Sequence, residues 1–153
     1  MNMRENYIYF AGIIDGEGCL AVEKKFPSKR KKFPHYVARL TISNTNEELM
    51  QWISNTFGCK IYARSIHNKS LGSMPQFQWY AFGKNLDNII KNIFEFSIVK
   101  KNQIQNVIEF RKTVGKTGQH VTQEMRDIRE KFYVKSRYYN SLHKKPSALS
   151  PVS

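Results

Sequence analysis

Residues Tyr7 to Gly18 read YIYFAGIIDGEG, and no other segment constrains the fold as strongly. From Tyr7 to Asp15 the run is apolar on nearly every side, which suits a short helix buried on most of its faces, with Gly16 and Gly18 ending it. Ala11 and Gly12 are small in an otherwise bulky helix and permit close backbone approach by another helix. Nothing nearby in the chain offers that partner, whereas two copies packed through a twofold interface would. Asp15 and Glu17 stand at the helix end, where exposed carboxylates cost little. Two helices side by side bring two acidic ends together, which is unfavourable unless a cation compensates, and an oxygen-only site suits Mg2+. Two metals flanking a phosphate stabilise the attacking and leaving oxygens of an in-line displacement.

The following sequence reads as hairpins and helices. Leu20 and Val22 alternate with Ala21 and Glu23, predicting a strand to about Phe26, and Tyr36 to Ser43 resumes the alternation after a turn rich in lysine, arginine and proline. Thr45 and Glu48 have capping-box spacing before Leu49, Trp52 and Ile53, and Gly58 stops that helix. Lys60–His67 and Gln76–Phe82 predict a second hairpin. Asn85 is expected to cap a helix with Leu86, Ile89, Ile90 and Ile93 on one face, and Lys100–Val114 and Thr122–Tyr139 continue as helices. The order α-β-β-α-β-β-α-α-α implies an α+β fold, one antiparallel sheet backed by helices. Residues 1–140 are expected to form one domain, with a disordered basic tail over 141–153.

The charge narrows the partner. Among 153 residues, 25 are Lys or Arg and 12 are Asp or Glu, a net +13. Glu23–Arg39 holds seven basic residues against one acidic, an excess of +6, and Arg111–Lys145 holds ten against three, an excess of +7. Two concentrated patches point to a polyanion, and the first flanks strand-like sequence rather than a basic amphipathic helix, which favours nucleic acid over membrane. No apolar run approaches the roughly 18–20 residues of a membrane span. With no cleavage pattern at the N-terminus and only Cys19 and Cys59, a soluble intracellular protein is expected, and abundant Lys, Asn and Ile suit an A·T-rich coding genome, compatible with an organelle, phage or prokaryotic host.

If the inner sheet face is apolar, the outer one carries Ala21, Glu23, Lys25, Val37, Arg39, Thr41, Tyr62, Arg64, Gln76, Gln78 and Tyr80. The polar members read base edges or phosphates, and a two-stranded ribbon fits a major groove about 12 Å wide. Arg30 and Lys32, in the hairpin tip, are expected to reach phosphates.

The segment Phe10–Gly18 resembles the motif that names the LAGLIDADG homing endonucleases, with Phe10 in place of the first Leu, Ile13 of the second, Gly16 of the second Ala and Glu17 of the second Asp. The resemblance extends over roughly Asn6–Val114 and implies the αββαββα core of that family, plus C-terminal helices. The motif occurs once, which implies a homodimer cutting both strands of double-stranded DNA at a long pseudo-palindromic site, of the intron-encoded kind. It implies Glu17 as metal ligand, Gly16 as a carbonyl ligand, and Phe10, Ala11, Gly12, Ile14 and Asp15 at the dimer interface. Lys100 and Gln103, in KKNQ, resemble the family's Lys-x-x-Gln element, with Lys101 an alternative for the active-site lysine. Asn44 stands where the family has a polar residue near catalytic water, or else caps the helix beginning at Asn46. Mg2+ is the implied cofactor, with Mn2+ substituting and Ca2+ supporting binding without cleavage.

Two other readings stay open: a maturase binding intron RNA, and a non-catalytic regulator using Asn85–Phe96 and Lys100–Val114 as a helix-turn-helix. Gly115-Lys116-Thr117 lacks the earlier glycine of a phosphate-binding loop, since Phe110 stands there. His35, His67, His120 and His143 lack metal-ligand spacing, and neither cysteine has the company of a nucleophile.

Overall fold

Helix α1 (Met3–Glu17) begins four residues ahead of the apolar run because Asn2 and Glu5 close a capping box. The Asn2 side chain accepts from the Glu5 N–H at 2.9 Å, and the Glu5 carboxylate accepts from the Asn2 N–H at 2.8 Å. The computed structural model describes residues 1–29, 32–68, 72–115 and 120–142, so Arg30 and residues 143–153 of the tail expected over 141–153 lie outside the described residues. After α1 come β1 (Cys19–Lys25), β2 (His35–Asn44), α2 (Glu47–Phe57), β3 (Ile61–Asn68), β4 (Gly72–Ala81), α3 (Gly83–Ile93), α4 (Lys101–Lys112) and α5 (Gln123–Ser141). This is the expected α+β arrangement. All strand pairs are antiparallel, in the order β1-β2-β4-β3.

Alternation puts Leu20, Val22, Ala38, Leu40, Ile42 and Trp79 on the inner face, all at most 2% exposed, under α1 to α4. Phe10 stacks on Phe57 with ring centroids 4.1 Å apart and meets Trp79 edge-on at 5.7 Å. This overturns part of the expected dimer interface. Phe10, Ala11 and Ile14 are at most 1% exposed and pack into their own core, because positions i, i+1 and i+4 share the one face that α1 lays on the sheet.

Helix starts differ from the sequence reading for local reasons. Asn46, not Thr45, caps α2, its side chain accepting from the Leu49 N–H at 2.9 Å. Phe82 precedes α3 without a side-chain cap, and Asn85 instead donates to the Phe57 carbonyl and the Cys59 sulfur, tying α3 to the end of α2. Gly58 closes α2 at φ +79°, a left-handed conformation that a side chain would strain. Pro75 is tolerated in β4 because the pairing with β2 ends at Phe77.

Helix α5 covers the open edge of β1. The Ser136 hydroxyl accepts from the Val22 N–H at 2.9 Å, and Asn140, one turn on, donates to the Leu20 carbonyl at 3.2 Å, so a helix face supplies partners that a neighbouring strand would otherwise provide. Among the described residues no helix is long and apolar enough to cross a membrane.

Candidate active site

Asp15 and Glu17 are two residues apart on α1, and about 100° of helical turn per residue sends their side chains to opposite sides. Asp15 turns inward to the segment ahead of α4. Its Oδ1 accepts from Ser97 Oγ at 2.5 Å and the Lys100 N–H at 3.2 Å, and its Oδ2 from the Ile98 and Val99 N–H groups at 2.7 and 3.1 Å. Burial pushes this carboxyl up, but the four hydrogen bonds outweigh it and hold Asp15 below the usual carboxylate range. Asp15 is therefore an internal brace, with both carboxylate oxygens engaged within its own chain.

Lys100 is brought to the same place. Its ammonium donates to the Asp15 carbonyl at 3.1 Å, one of the helix-end carbonyls with no partner inside the helix. Burial lowers its pKa, against the pull of Asp15 and Cys19 nearby. Lys101 is exposed and lies over the Phe94 ring instead, so the geometry separates the two lysines. Gln103 is buried and turned to α5, donating to the Tyr139 carbonyl at 3.5 Å, away from this cluster.

Glu17 points out to solvent. Asn44, the last residue of β2, donates to Glu17 Oε2 at 2.6 Å and accepts from the Asn46 N–H at 2.8 Å, so it fastens the carboxylate and braces the start of α2 together. Gly18 makes this junction possible: a Cβ there would lie 2.8 Å from the Ile14 carbonyl oxygen and 2.9 Å from the Ile14 Cα. The exposed Glu17 carboxylate and the Gly16 carbonyl are hard oxygen donors of the kind Mg2+ takes. Among the described residues no group of three or more His, Cys, Asp or Glu side chains could hold a metal. One chain thus offers a partial site that fits a hard cation.

Next to Glu17, α1 exposes Gly12 and Gly16, one turn apart on one face; a Cβ at either would meet nothing within 4 Å. Ile8 and Tyr9 flank them at 42% and 51% exposure, and Ile98 beside Asp15 is 86% exposed. The strip is apolar, narrow at the backbone and uncovered.

The outer sheet face collects the residues expected there. Strand register sets Ala21 beside Arg39, Thr41 beside Tyr80, Tyr62 beside Gln78 and Arg64 beside Gln76. Cys19 and His35 share that face by the same alternation, because β1 and β2 each begin one residue ahead of the start read from sequence; Ser43, inside the strand as read, belongs to the same face. Lys32 is exposed at the hairpin tip. The second basic patch is smaller than its count. Arg111 forms a two-pronged pair with Asp87 at 2.7 and 2.9 Å, and Lys112 pairs with Glu109. Buried Arg129 donates to the Thr113 carbonyl at 2.6 Å, and Arg126 stacks over Phe33. Lys131, Lys135 and Arg137 remain exposed on α5.

Residues 10–114 match the family profile described as LAGLIDADG endonuclease. Among solved structures, the archaeal intron-encoded homing endonuclease I-Vdi141I, complexed with DNA, is similar at 18% identity and a TM-score of 0.73, covering 96% of this chain and 89% of that one. The homing endonuclease I-CvuI, in complex with the I-CreI target in the presence of Mg with the DNA not cleaved, is similar at 13% identity and a TM-score of 0.68, covering 95% and 87%. I-SmaMI, bound to uncleaved DNA target in the presence of calcium ions, gives 22% identity and a TM-score of 0.66, covering 89% of this chain but 45% of its own. A comparison with curated protein sequences gives no match.

Proposed function

The chain belongs to the LAGLIDADG endonuclease family, and from that premise we propose that two copies pair through α1 into a divalent-metal-dependent endonuclease that cuts both strands of double-stranded DNA at a long, partly symmetric site. The observation that carries this reading is the parting of the two motif carboxylates. Asp15 is spent within its own chain, while Glu17 stands in solvent beside the open Gly12–Gly16 strip. One carboxylate and one carbonyl are half a site for a hard cation; a second copy seated on Ile8, Tyr9, Gly12 and Gly16 brings the other half alongside. The proportions support this: the chain spans 89% of I-Vdi141I but 45% of I-SmaMI, as half of a doubled unit would.

Glu17 and the Gly16 carbonyl are the groups that would hold Mg2+, with Mn2+ substituting and Ca2+ supporting binding without cleavage. When bound, such an ion supplies Lewis-acid stabilisation of phosphate oxygens and lowers the pKa of water. Asn44 keeps the Glu17 carboxylate in one orientation through its 2.6 Å hydrogen bond. Lys100, anchored on the Asp15 carbonyl, sets a positive charge at the same helix end, where it pairs with phosphate or orders water. On the sheet, Glu23, Lys25, Arg39, Thr41, Tyr62, Arg64, Gln76 and Gln78 face the major groove, and the tip with Lys32 and Arg30 follows the phosphates.

The test uses DNA joined from the sequences that flank the coding region of this chain. Wild type should cut it with Mg2+ and bind without cutting in Ca2+. Glu17→Gln should lose cleavage and keep specific binding; loss of binding in that variant would make Glu17 structural and refute the assignment.

A further inference from the structure

On the outer sheet face, side chains from three strands join in one row. Glu23 on β1 accepts from Arg39 Nη2 at 2.6 Å, and Lys25 lies 2.7 Å from the other Glu23 oxygen. The Arg39 guanidinium carbon sits 5.0 Å from the centroid of the Tyr80 ring, and the Tyr80 hydroxyl donates to Gln78 Oε1 at 2.5 Å. Register accounts for the row: Arg39 lies opposite Ala21 and Tyr80 opposite Thr41, so Glu23 and Tyr80 are the diagonal neighbours of Arg39 on its two sides. Arg39 lines a concavity of about 520 Å³ with Lys60, Tyr62 and Phe82.

An arginine on a solvated strand ordinarily samples many rotamers, and this one is held by a charge on one side and a ring on the other. With side-chain exposures of 35% for Arg39 and 24% for Glu23 the pair is half-buried, where the cost of desolvating two charges offsets much of their attraction and leaves little net stability. A carboxylate on a surface that meets a polyanion also weakens attraction to phosphate. What it adds is a fixed fork, which favours discrimination over affinity. An arginine fork reads guanine through O6 and N7; a carboxylate reads cytosine N4, but both Glu23 oxygens already face cations.

We infer that Glu23, Arg39 and Tyr80 form a preassembled reader of one guanine in each half-site, with Arg39 touching the base and Glu23 a positioning residue that sets how sharply guanine is distinguished. The inference rests on the DNA-cleaving reading above and adds a base and its place. Arg39 stands five residues along β2 from Asn44, which touches Glu17. At about 3.4 Å per strand residue that is roughly 17 Å, or about five base pairs from the cut phosphates.

The experiment selects binders from fully randomised DNA duplexes in Ca2+ buffer and maps the cut in Mg2+. Wild type should enrich guanine at one symmetric pair of positions about five base pairs from the cut. R39A should erase that preference. E23Q should retain the position, lose about tenfold of the discrimination and bind random duplex at least as tightly. Tyr80→Leu, which removes the ring without touching charge, should soften the preference in the same way. The double variant E23Q/R39A should match R39A alone. An undiminished preference in E23Q or Tyr80→Leu, no guanine pair sensitive to R39A, or additive effects in the double variant would overturn the inference. A wild type that enriches no duplex refutes the nuclease reading itself.

Discussion

Replacing Asp15 by Asn asks whether the inward carboxylate of the motif is a brace. In wild type it accepts four hydrogen bonds, two per oxygen. An amide offers one acceptor oxygen. In the most favourable rotamer it keeps the Ile98 and Val99 N–H groups on that oxygen and donates to a rotated Ser97 hydroxyl, losing the Lys100 N–H bond. The two retained backbone bonds also lose their charge assistance, worth about 1 kcal/mol each, discounted because both donors are partly in water, and the lost bond adds about 1 kcal/mol. The expected destabilisation is about 2–3 kcal/mol, a fall of roughly 5–10 °C in Tm for a chain of this size. Denaturation followed by the fluorescence of fully buried Trp79 measures it, at one protein concentration because self-association moves the midpoint. The pH dependence has a definite sign. The folded Asp15 pKa lies below 3.8, so its stabilisation is present above that value and is lost as pH falls through the folded pKa. The gap between wild type and variant should be widest near neutral pH and close below about pH 3.8. A D15N protein within about 0.5 kcal/mol of wild type at neutral pH, yet inactive, would refute the brace and give Asp15 a direct part in the function instead.

Glu17→Gln, by contrast, should leave Tm nearly unchanged, since a glutamine carbonyl still accepts from Asn44. Gly12→Leu should keep the monomer folded, because its Cβ enters open space, while sedimentation shows loss of self-association and cleavage falls with it; an intact dimer would place the interface elsewhere. Gly18→Ala should cost about 1–3 kcal/mol in a denaturant titration, since its methyl group meets backbone at 2.8 Å and backbone yields little. A neutral Gly18→Ala would mean the α1–β1 junction is looser than described.

Much of this architecture was readable from patterns local in sequence. Period-two alternation identified the buried Leu20, Val22, Leu40 and Ile42 and the opposite polar row, because a strand allows only two directions for a side chain. The boundary errors arose where one polar residue substituted for another as a cap: Asn46 for Thr45, and Asn2 with Glu5 ahead of a start read at Tyr7. The same limit applied to Asn85, whose side chain found the end of another helix. Charge counting failed differently, because Arg111, Arg126 and Arg129 meet Asp87, the Phe33 ring and the Thr113 carbonyl, supplied from elsewhere in the fold.

The motif itself divides along this line. The sequence alone determined that a nearly all-apolar helix ends in two carboxylates with small residues inside it, and that fixed the class of fold and the place where chemistry could sit. It did not determine which way the helix faces. A run apolar all round has no preferred side, so Phe10, Ala11 and Ile14 looked as able to meet a second copy as the core. Only the packing of α1 on the sheet settled that, by sending Phe10, Ala11 and Ile14 inward and leaving Ile8, Tyr9, Gly12 and Gly16 open. Once the rotation of α1 was set, its helical pitch turned Asp15 to the segment ahead of α4 and Glu17 to solvent. Two acids of like chemistry thereby acquired different roles from a single rotation about the helix axis.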